Sequence, residues 1–189
     1  ENASVSFEGT AMVSGTVSGA LATGGVFGYY KSSEAENSFD ISRYAVSCTL
    51  NGESSGGLFG KLENSGNMTI IKNDTEAADI SVNRTSSDKQ IFGGLIGTYL
   101  SDNTSNSLTI SGISVSADNS AGGAEYFGGL IGKADDDSYI RLENVSVSAS
   151  GCKNVTSFGG IAGYADKAFI DAENVTVNTN GDFIGGGVI

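Results

Sequence analysis

The chain of 189 residues contains no His, no Trp and no Pro, and only two Cys. Catalytic triads and zinc sites that rely on imidazole are therefore excluded, and two thiols cannot complete a four-thiolate site. Only ten Lys and Arg stand against 22 Asp and Glu, which leaves a net charge of −12. Phosphate backbones are bound by basic surfaces, so we expect no nucleic-acid partner. No apolar run approaches the roughly 20 residues that span a bilayer, and we expect no membrane insertion.

Glycine is abundant, and much of it lies in a phrase that the chain repeats. The clearest copy is 127–132, with the sequence FGGLIG, and close copies occupy 92–97 and 158–163. With looser copies, the second glycine falls at positions 25, 57, 94, 129, 160 and 187, and such intervals indicate a repeat architecture. Because the repeat is unbroken, we predict a single domain over 1–189. The chain starts without Met and stops within the last copy, so we expect a fragment of a longer protein.

An alternating pattern precedes most of these glycine phrases. It reads apolar-x-apolar-x-x-apolar-x-apolar over 140–147, with related copies over 5–12, 39–46, 108–115 and 170–177. Alternation with Ser and Thr predicts strands, and the extra central residue predicts a corner. With one further strand from the glycine phrase, each repeat supplies three strands. Stacked about 4.8 Å apart, the repeats give an all-β parallel β-solenoid (β-helix) of about six coils, in which Val147 lies next to Val115 and Val177.

Two other fold classes compete with the solenoid. A helical fold is disfavoured because Ser, Thr, Gly, Val and Asn are weak helix formers and the chain has no apolar stripe with a 3.6-residue period. A β-sandwich remains the structural alternative, since it also consists of many short strands separated by turns. A sandwich does not require one phrase repeated six times, whereas a solenoid does.

The solenoid makes a prediction about the two cysteines, Cys48 and Cys152. They lie three coils apart, which corresponds to roughly 14 Å along the stack. A disulfide needs Cα atoms within about 7 Å. We therefore predict that these cysteines are not bonded to each other.

The glycine phrase also predicts a surface for assembly. Alternate residues of a strand point to opposite faces, and here both sets are apolar. One set must then lie outside, unless a bulge at Gly-Gly turns both sets inward. We expect an apolar stripe, covered by another copy of the protein or by an adjoining domain, that is formed by Phe92, Leu95, Ile96, Phe127, Leu130, Ile131, Phe158 and Ile161. Open coil ends with unpaired strand edges would add end-to-end contacts.

The phrase Gly-Gly-Leu-Ile-Gly, a polar turn and an apolar-x-Asn-x-x-Val stretch together resemble the GLUG repeat of bacterial and protist surface proteins. The match is best over 128–147, which contains Leu142 and Asn144, and over 159–177. The first two repeats depart from it, with Ser42 and Arg43 where Glu143 and Asn144 stand later. The resemblance implies a large extracellular protein used for adhesion or surface display, and it supplies no catalytic residue or cofactor.

Acidic residues follow the glycine phrases and would form a column in stacked coils. Carboxylate oxygens in such a column could hold Ca²⁺, whereas the alternative is a solvated, negatively charged turn. The calcium candidates are Asp102, Asp135, Asp137 and Asp166. We expect no other metal and no cofactor.

Eight of the fifteen asparagines lie in Asn-x-Ser/Thr triplets. In a secreted eukaryotic protein such triplets are glycan acceptors on exposed surface, although a bacterial solenoid rich in Asn, Ser and Thr would contain them without glycosylation. The glycosylation candidates are Asn2, Asn67, Asn73, Asn83, Asn103, Asn144, Asn154 and Asn174. Asn144 and Asn174 occupy equivalent corners one coil apart, so both should point outward if either does.

These observations favour three functions. The first is a structural or adhesive module of an extracellular, cell-surface protein, without enzymatic activity, that binds a glycan or another cell-surface ligand. The second is a self-assembling subunit of an extracellular, glycosylated filament or appendage. The third is a polysaccharide-active β-helix, because pectin-degrading enzymes share this scaffold and carboxylates are plentiful. The motifs of those enzymes that include His are missing, and only Arg43, Arg84 and Arg141 could serve as cationic partners.

Overall fold

The structure, a computed structural model, describes residues 4–5, 11–72, 79–102, 105–135 and 137–180. Within these ranges the chain is all-β, with 22 strands and no helix. Every strand pair is parallel, and each strand pairs with the equivalent strand of the coil before or after it. The predicted parallel β-solenoid is therefore confirmed. None of the described elements is a helix that could cross a membrane.

Each coil contributes one strand to each of four sheets, A to D. Sheet A contains β1 (Ser4–Val5), β5 (Glu36–Asp40), β9 (Asn67–Ile71), β13 (Ser107–Ser111), β17 (Tyr139–Glu143) and β21 (Phe169–Glu173). Sheet B contains β2 (Ala11–Ser18), β6 (Tyr44–Asn51), β10 (Ile80–Asn83), β14 (Ser114–Asp118), β18 (Ser146–Ser150) and β22 (Thr176–Asn180). Sheet C contains β3 (Ala22–Gly24), β7 (Ser54–Gly56), β11 (Ile91–Gly93), β15 (Tyr126–Gly128) and β19 (Ser157–Gly159). Sheet D contains β4 (Phe27–Ser32), β8 (Phe59–Asn64), β12 (Ile96–Ser101), β16 (Ile131–Asp135) and β20 (Ala162–Ala165).

The described residues make about five turns of the solenoid, against the six that the glycine phrases predicted. The strands β21 and β22 begin a further turn. The last glycine phrase, at 186–189, lies outside the described residues. The alternating pattern gives the register correctly in the later coils, where Val147 pairs with Val115 on one side and with Val177 on the other.

The glycine phrase forms two strands and not one, so each coil has four strands where the pattern predicted three. In the third coil β11 ends at Gly93, Gly94 and Leu95 form a bend, and β12 begins at Ile96. Because the chain turns at this point, residues on both sides of the bend are buried. Phe92, Leu95 and Ile96 are all fully inaccessible to solvent.

This bend corrects the expectation of an exposed apolar stripe. Seven of the eight proposed stripe residues are buried in the core, and the eighth, Phe158, is partly buried and packs against it. The buried seven are Phe92, Leu95, Ile96, Phe127, Leu130, Ile131 and Ile161. The alternation argument failed because the Gly-Gly pair turns both sets inward. These residues therefore offer no outer surface to a partner.

The second glycine of the phrase is required by a close approach between coils. A Cβ atom added at Gly94 would lie 2.2 Å from the carbonyl oxygen of Gly129 and 2.5 Å from Cγ1 of Val115, on sheet B. At Gly129 the corresponding distances are 2.3 Å to the oxygen of Gly160 and 2.5 Å to Cγ1 of Val147. Distances this short are not tolerated between real atoms. The bend between sheets C and D thus projects into the core until it touches sheet B.

Sheets C and D share the volume beside this bend. In the first two coils sheet C contributes Thr23 and Ser55, whose hydroxyls are 2.7 Å apart, and sheet D contributes the larger Phe27 and Phe59. In the later coils the sizes are exchanged. Sheet C then contributes a stack of phenylalanines with centroids 5.2–5.3 Å apart, and sheet D contributes Ile or Ala. In each coil the space beside the bend is filled, although neither sheet keeps the same residue along the stack.

The first two repeats do not follow the phase that the sequence pattern predicted. Val13 pairs with Val46, whereas Met12, which the pattern placed inside, is 73 % exposed. Phe39 pairs with Ile70. The corner between sheets A and B has three residues in the second coil, 41–43, but two in the fourth, 112–113, so counting from the later repeats gives sheet A of the second coil the wrong register. The corner of the first coil lies outside the described residues.

The cysteines are buried and free, which confirms that they are not bonded to each other. Their positions are less equivalent than the spacing suggested. Cys48 lies within β6, and its column continues through Val82 and Ala117 to Ala149, three residues before Cys152. Burial raises the pKa of Cys48, and it raises the pKa of Cys152 to about 11.

We expect that a charge on either side of the glycine bend prevents folding. Leu130→Asp and Ile131→Asp would each bury an unpaired carboxylate, at a cost of more than about 4 kcal/mol. The matched control is Ser148→Asp, because Ser148 is exposed on sheet B and its replacement should cost less than about 0.5 kcal/mol. Urea unfolding followed by circular dichroism measures the three free energies. A folded, aggregation-resistant Leu130→Asp or Ile131→Asp protein would contradict the inward bend.

Cys152 gives the stability a defined pH dependence. Its folded pKa is raised from 9.0 to about 11, so its contribution is fully present below about pH 9 and is lost as the pH rises toward 11. Two pH units correspond to about 3 kcal/mol. We expect Cys152→Ala to flatten the fall in the free energy of unfolding over this range, while tyrosine titration affects both proteins equally. If the two proteins show the same slope, the thiol is not responsible.

Candidate functional site

The outward residues differ in character from sheet to sheet. In the described strands of sheet B the only charged residue is Asp118, and the outer rows consist mainly of Ser, Thr and Asn. Sheet A carries charges, including an Arg141–Glu143 ion pair of 2.6 Å. The outer face of sheet D also carries charged and aromatic groups, and it is the sheet whose outward residues take part in a groove with sheet C.

An open groove of about 510 Å³ lies between the outer faces of sheets C and D, and we call it the C–D groove. It spans four coils, and it is lined by Leu21, Ala22, Glu53, Ser54, Lys61, Ile91, Thr98, Leu100, Lys133 and Asp135. Its concave shape follows from the glycine bend, which brings the two sheets toward the core on the inside and so leaves an angle between them on the outside.

Hydroxyl groups form part of the lining of the C–D groove. Ser54 Oγ donates a hydrogen bond to the carbonyl oxygen of Gly60 at 2.7 Å. Its distance to Thr98 Oγ1 is 2.8 Å. A serine has one hydroxyl proton, so Thr98 is the donor to Ser54 in this pair. Thr98 Oγ1 keeps its lone pairs and remains able to accept a hydrogen bond.

Two lysines from sheet D line the same groove. Lys133 pairs with Asp135 at 2.5 Å, and its Nζ lies 5.5 Å from the centroid of the Tyr164 ring. Its hydrogen bond to Asp135 raises the pKa of Lys133, so the ammonium stays charged at neutral pH. Lys61 Nζ lies 3.6 Å from Glu63 and 5.3 Å from the centroid of Tyr29. Both cations are thus held in place by a carboxylate and an aromatic ring.

Aromatic residues continue the two walls of the groove at one end. Tyr126 occupies the position of Ile91 in the next coil of sheet C, and Tyr164 occupies the position of Lys133 in the next coil of sheet D. Their ring centroids are 4.8 Å apart, so the walls meet at this pair. At the other end Tyr29 occupies the equivalent row of sheet D and is half exposed.

Glu63 lies beyond the groove on sheet D, in a tight polar cluster. Its carboxylate accepts a hydrogen bond from the Tyr29 hydroxyl at 2.7 Å and forms an ion pair with Lys31. The hydrogen bonds from Lys31 and Tyr29 lower the pKa of Glu63 to about 2. This carboxylate is therefore ionised under ordinary conditions and cannot serve as a general acid near neutral pH.

The calcium candidates do not come together in the described structure. Asp102 and Asp137 line a second depression, of about 410 Å³, together with Glu63, but Lys31 and Lys167 line it as well. Asp135 lies in the C–D groove, paired with Lys133, and Asp166 is exposed. Among the described residues no group of three or more acidic or cysteine side chains could hold a metal ion.

Four glycosylation candidates are exposed, namely Asn83, Asn144, Asn154 and Asn174. Asn67 is partly buried and bonds to Glu36 and Ser107, in the coils on either side. Asn2, Asn73 and Asn103 lie outside the described residues.

The corner that holds Asn144 and Asn174 has a common backbone conformation. Both residues have a positive φ, of 53° and 54°, and Gly112 takes φ +71° at the same place one coil earlier. Asn tolerates this left-handed conformation better than most residues. Asn174 Nδ2 donates to Asn144 Oδ1 at 3.2 Å, so the exposed amides form a ladder on the outside of the corner. A buried pair, Asn37 and Asn64, occurs at a different corner.

Arg84, one of the three arginines considered for a polysaccharide site, lies in the interior. It is fully buried, and its donors bond to Asn119 Oδ1 at 3.0 Å, to Gly122 O at 3.2 Å, to Gln90 Oε1 and to the carbonyl oxygen of Asp88. Gln90 Oε1 accepts from both Nε and Nη2, so the guanidinium makes five hydrogen bonds, one for each of its N–H groups. Arg84 therefore fastens the 85–90 loop to the next coil and is not accessible to a ligand.

The sequence did contain a signal for the C–D groove that periodicity reasoning missed. Counting four residues on from each second glycine gives the outer row of sheet D, which consists of Tyr29, Lys61, Thr98, Lys133 and Tyr164. The row was not conspicuous because its members differ in type. No protein-family model matches the chain, and no curated protein sequence and no solved structure is significantly similar to it.

Proposed function

We propose that the chain is a structural or adhesive β-solenoid module of an extracellular, cell-surface protein. The observation that carries the proposal is the division of roles within each coil. Inward residues form one continuous core from coil to coil, and outward rows present hydroxyl, amide and charged groups on a rigid scaffold. Such a body displays groups at fixed spacing, which suits contact with a surface. The resemblance to GLUG repeats and the four exposed Asn-x-Ser/Thr triplets support an extracellular setting.

A second candidate is a self-assembling subunit of an extracellular filament or appendage. Its basis is the stacking itself, because each described strand pairs in parallel with the equivalent strand of a neighbouring coil. A coil of another copy could be added to such a stack in the same way. Parallel strand edges accept such additions through backbone hydrogen bonds.

Surface location is tested on intact cells of the source organism. We expect an antibody raised against the folded chain to label cells without permeabilisation, and we expect protease added outside to remove the label. An antibody against a cytosolic enzyme is the control for cell integrity. Labelling that appears only after permeabilisation would contradict the proposal. Negative-stain microscopy of the labelled material separates the two candidates, because a filament subunit would label a continuous fibre.

Glycosylation is tested on protein isolated from the native source. We expect N-glycosidase treatment to lower the mass of the chain, and we expect Asn144→Gln and Asn174→Gln to lose one glycan each, because both amides are exposed. Asn178→Gln is a suitable negative control, since Asn178 is exposed and lies outside any triplet. Unchanged mass after treatment would show that the triplets reflect only composition.

A further inference from the structure

We propose that the C–D groove binds a short, uncharged oligosaccharide. The inference supplies a ligand class for the proposed adhesive module and in that respect rests on the proposed function. Four features of the groove carry it: its boundaries, its charge balance, its mixture of apolar and polar groups, and the direction in which it runs.

The groove has defined limits. It crosses four coils, a length of roughly 14 Å between the first and the last. The touching rings of Tyr126 and Tyr164 lie one coil beyond Ile91 and Lys133 at one end, and Tyr29 lies one coil before Lys61 at the other. A depression of this length accommodates several linked sugar units and is too short for a folded domain. Its occupant is therefore a chain end or a short segment.

The charge of the groove is balanced, although the whole protein is strongly acidic. The charged lining residues are Lys61, Lys133, Glu53 and Asp135, whose charges sum to zero, while the chain carries −12. A polyanion would meet the surrounding negative field, and a polycation would find no excess of carboxylates in the groove itself. An uncharged ligand with many hydroxyls can use both the ammonium donors and the carboxylate acceptors.

The lining contains both apolar and polar groups, and a sugar ring likewise has apolar C–H faces and polar hydroxyl edges. Ile91 and Leu100 offer apolar surface to the C–H faces of a sugar. Thr98 Oγ1 is an acceptor, because its own proton is donated to Ser54. Lys133 is held by Asp135 and stacked on Tyr164, so its remaining N–H groups are already oriented for a ligand hydroxyl.

The direction of the groove argues against an extended peptide. It runs along the stack and therefore crosses the strands of sheets C and D at a steep angle. The backbone groups of the strands that it crosses are paired with the coils above and below. A peptide could not add to a strand edge there, and it would lose the backbone hydrogen bonds that usually hold it.

Native affinity electrophoresis tests the inference with three probes, which are dissolved β-glucan, mannan and xylan, and polygalacturonate serves as the charged comparison. We expect at least one neutral polysaccharide to retard the chain. Thr98→Val and Lys133→Met should each weaken that binding about tenfold, the effect of losing one hydrogen bond at a bound ligand. Lys153→Met is the matched control, because Lys153 is exposed outside the groove and its loss should leave retardation unchanged. Circular dichroism confirms that all variants are folded.

Several outcomes would overturn the inference. They are the absence of retardation by all three neutral polymers, retardation by polygalacturonate alone, or equal weakening in Lys153→Met and the groove variants. The result is separable from the test of the proposed function. If the antibody labels intact cells but the chain binds none of the neutral polymers, only the oligosaccharide inference is refuted. If the chain binds them but is found only inside cells, only the surface location is refuted.

Discussion

The close approach of successive coils at the second glycine is the contact on which the rest of the structure depends. A Cβ at Gly57 would lie 2.4 Å from the oxygen of Gly94 and 2.5 Å from Cγ2 of Ile80, and the same conflict recurs in the neighbouring coils. Because no side chain is present, the bend between sheets C and D can reach sheet B. The apolar residues on both sides of the bend then enter the core. On the outside the same bend leaves the angle that becomes the C–D groove, so one constraint produces both the core and the candidate site.

Core packing shows how the repeat tolerates variation without losing this contact. Phe59 on sheet D accompanies Ser55 on sheet C, whereas two coils later Phe127 on sheet C accompanies Ile131 on sheet D. Each of these coils thus keeps one phenylalanine ring beside the bend, and a close-packed interior requires the space around it to be filled. Substitutions in the core are consequently coupled across the bend. Replacing Phe127 alone would leave a cavity that no other residue of its rung could fill.

The sequence predicted the features that depend on repeated residues. The glycine spacing and the alternating Val, Ile and Ser residues predicted parallel coils and the pairing of Val147 with Val177, because stacking in register demands like residues at like places. Local geometry was less accessible. The Gly-Gly pair was predicted to lie within one strand, since alternation alone does not reveal a bend. Met12 was assigned to the core, whereas its neighbour Val13 occupies the position that pairs with Val46. The burial of Arg84 depends on partners in a loop and in the next coil, which no local pattern contains.

The candidate site was missed for a related reason, which also says where specificity can reside in such a fold. Inward rows must repeat, because each side chain packs on its equivalent in the next coil, whereas outward rows are free to differ. The outer row of sheet D uses that freedom, with Thr98 between Lys61 and Lys133 and a tyrosine at each end. A search for repeated residues therefore finds the scaffold and overlooks the groove. In this solenoid the outward positions that depart from the repeat lie next to the glycine bend that keeps it.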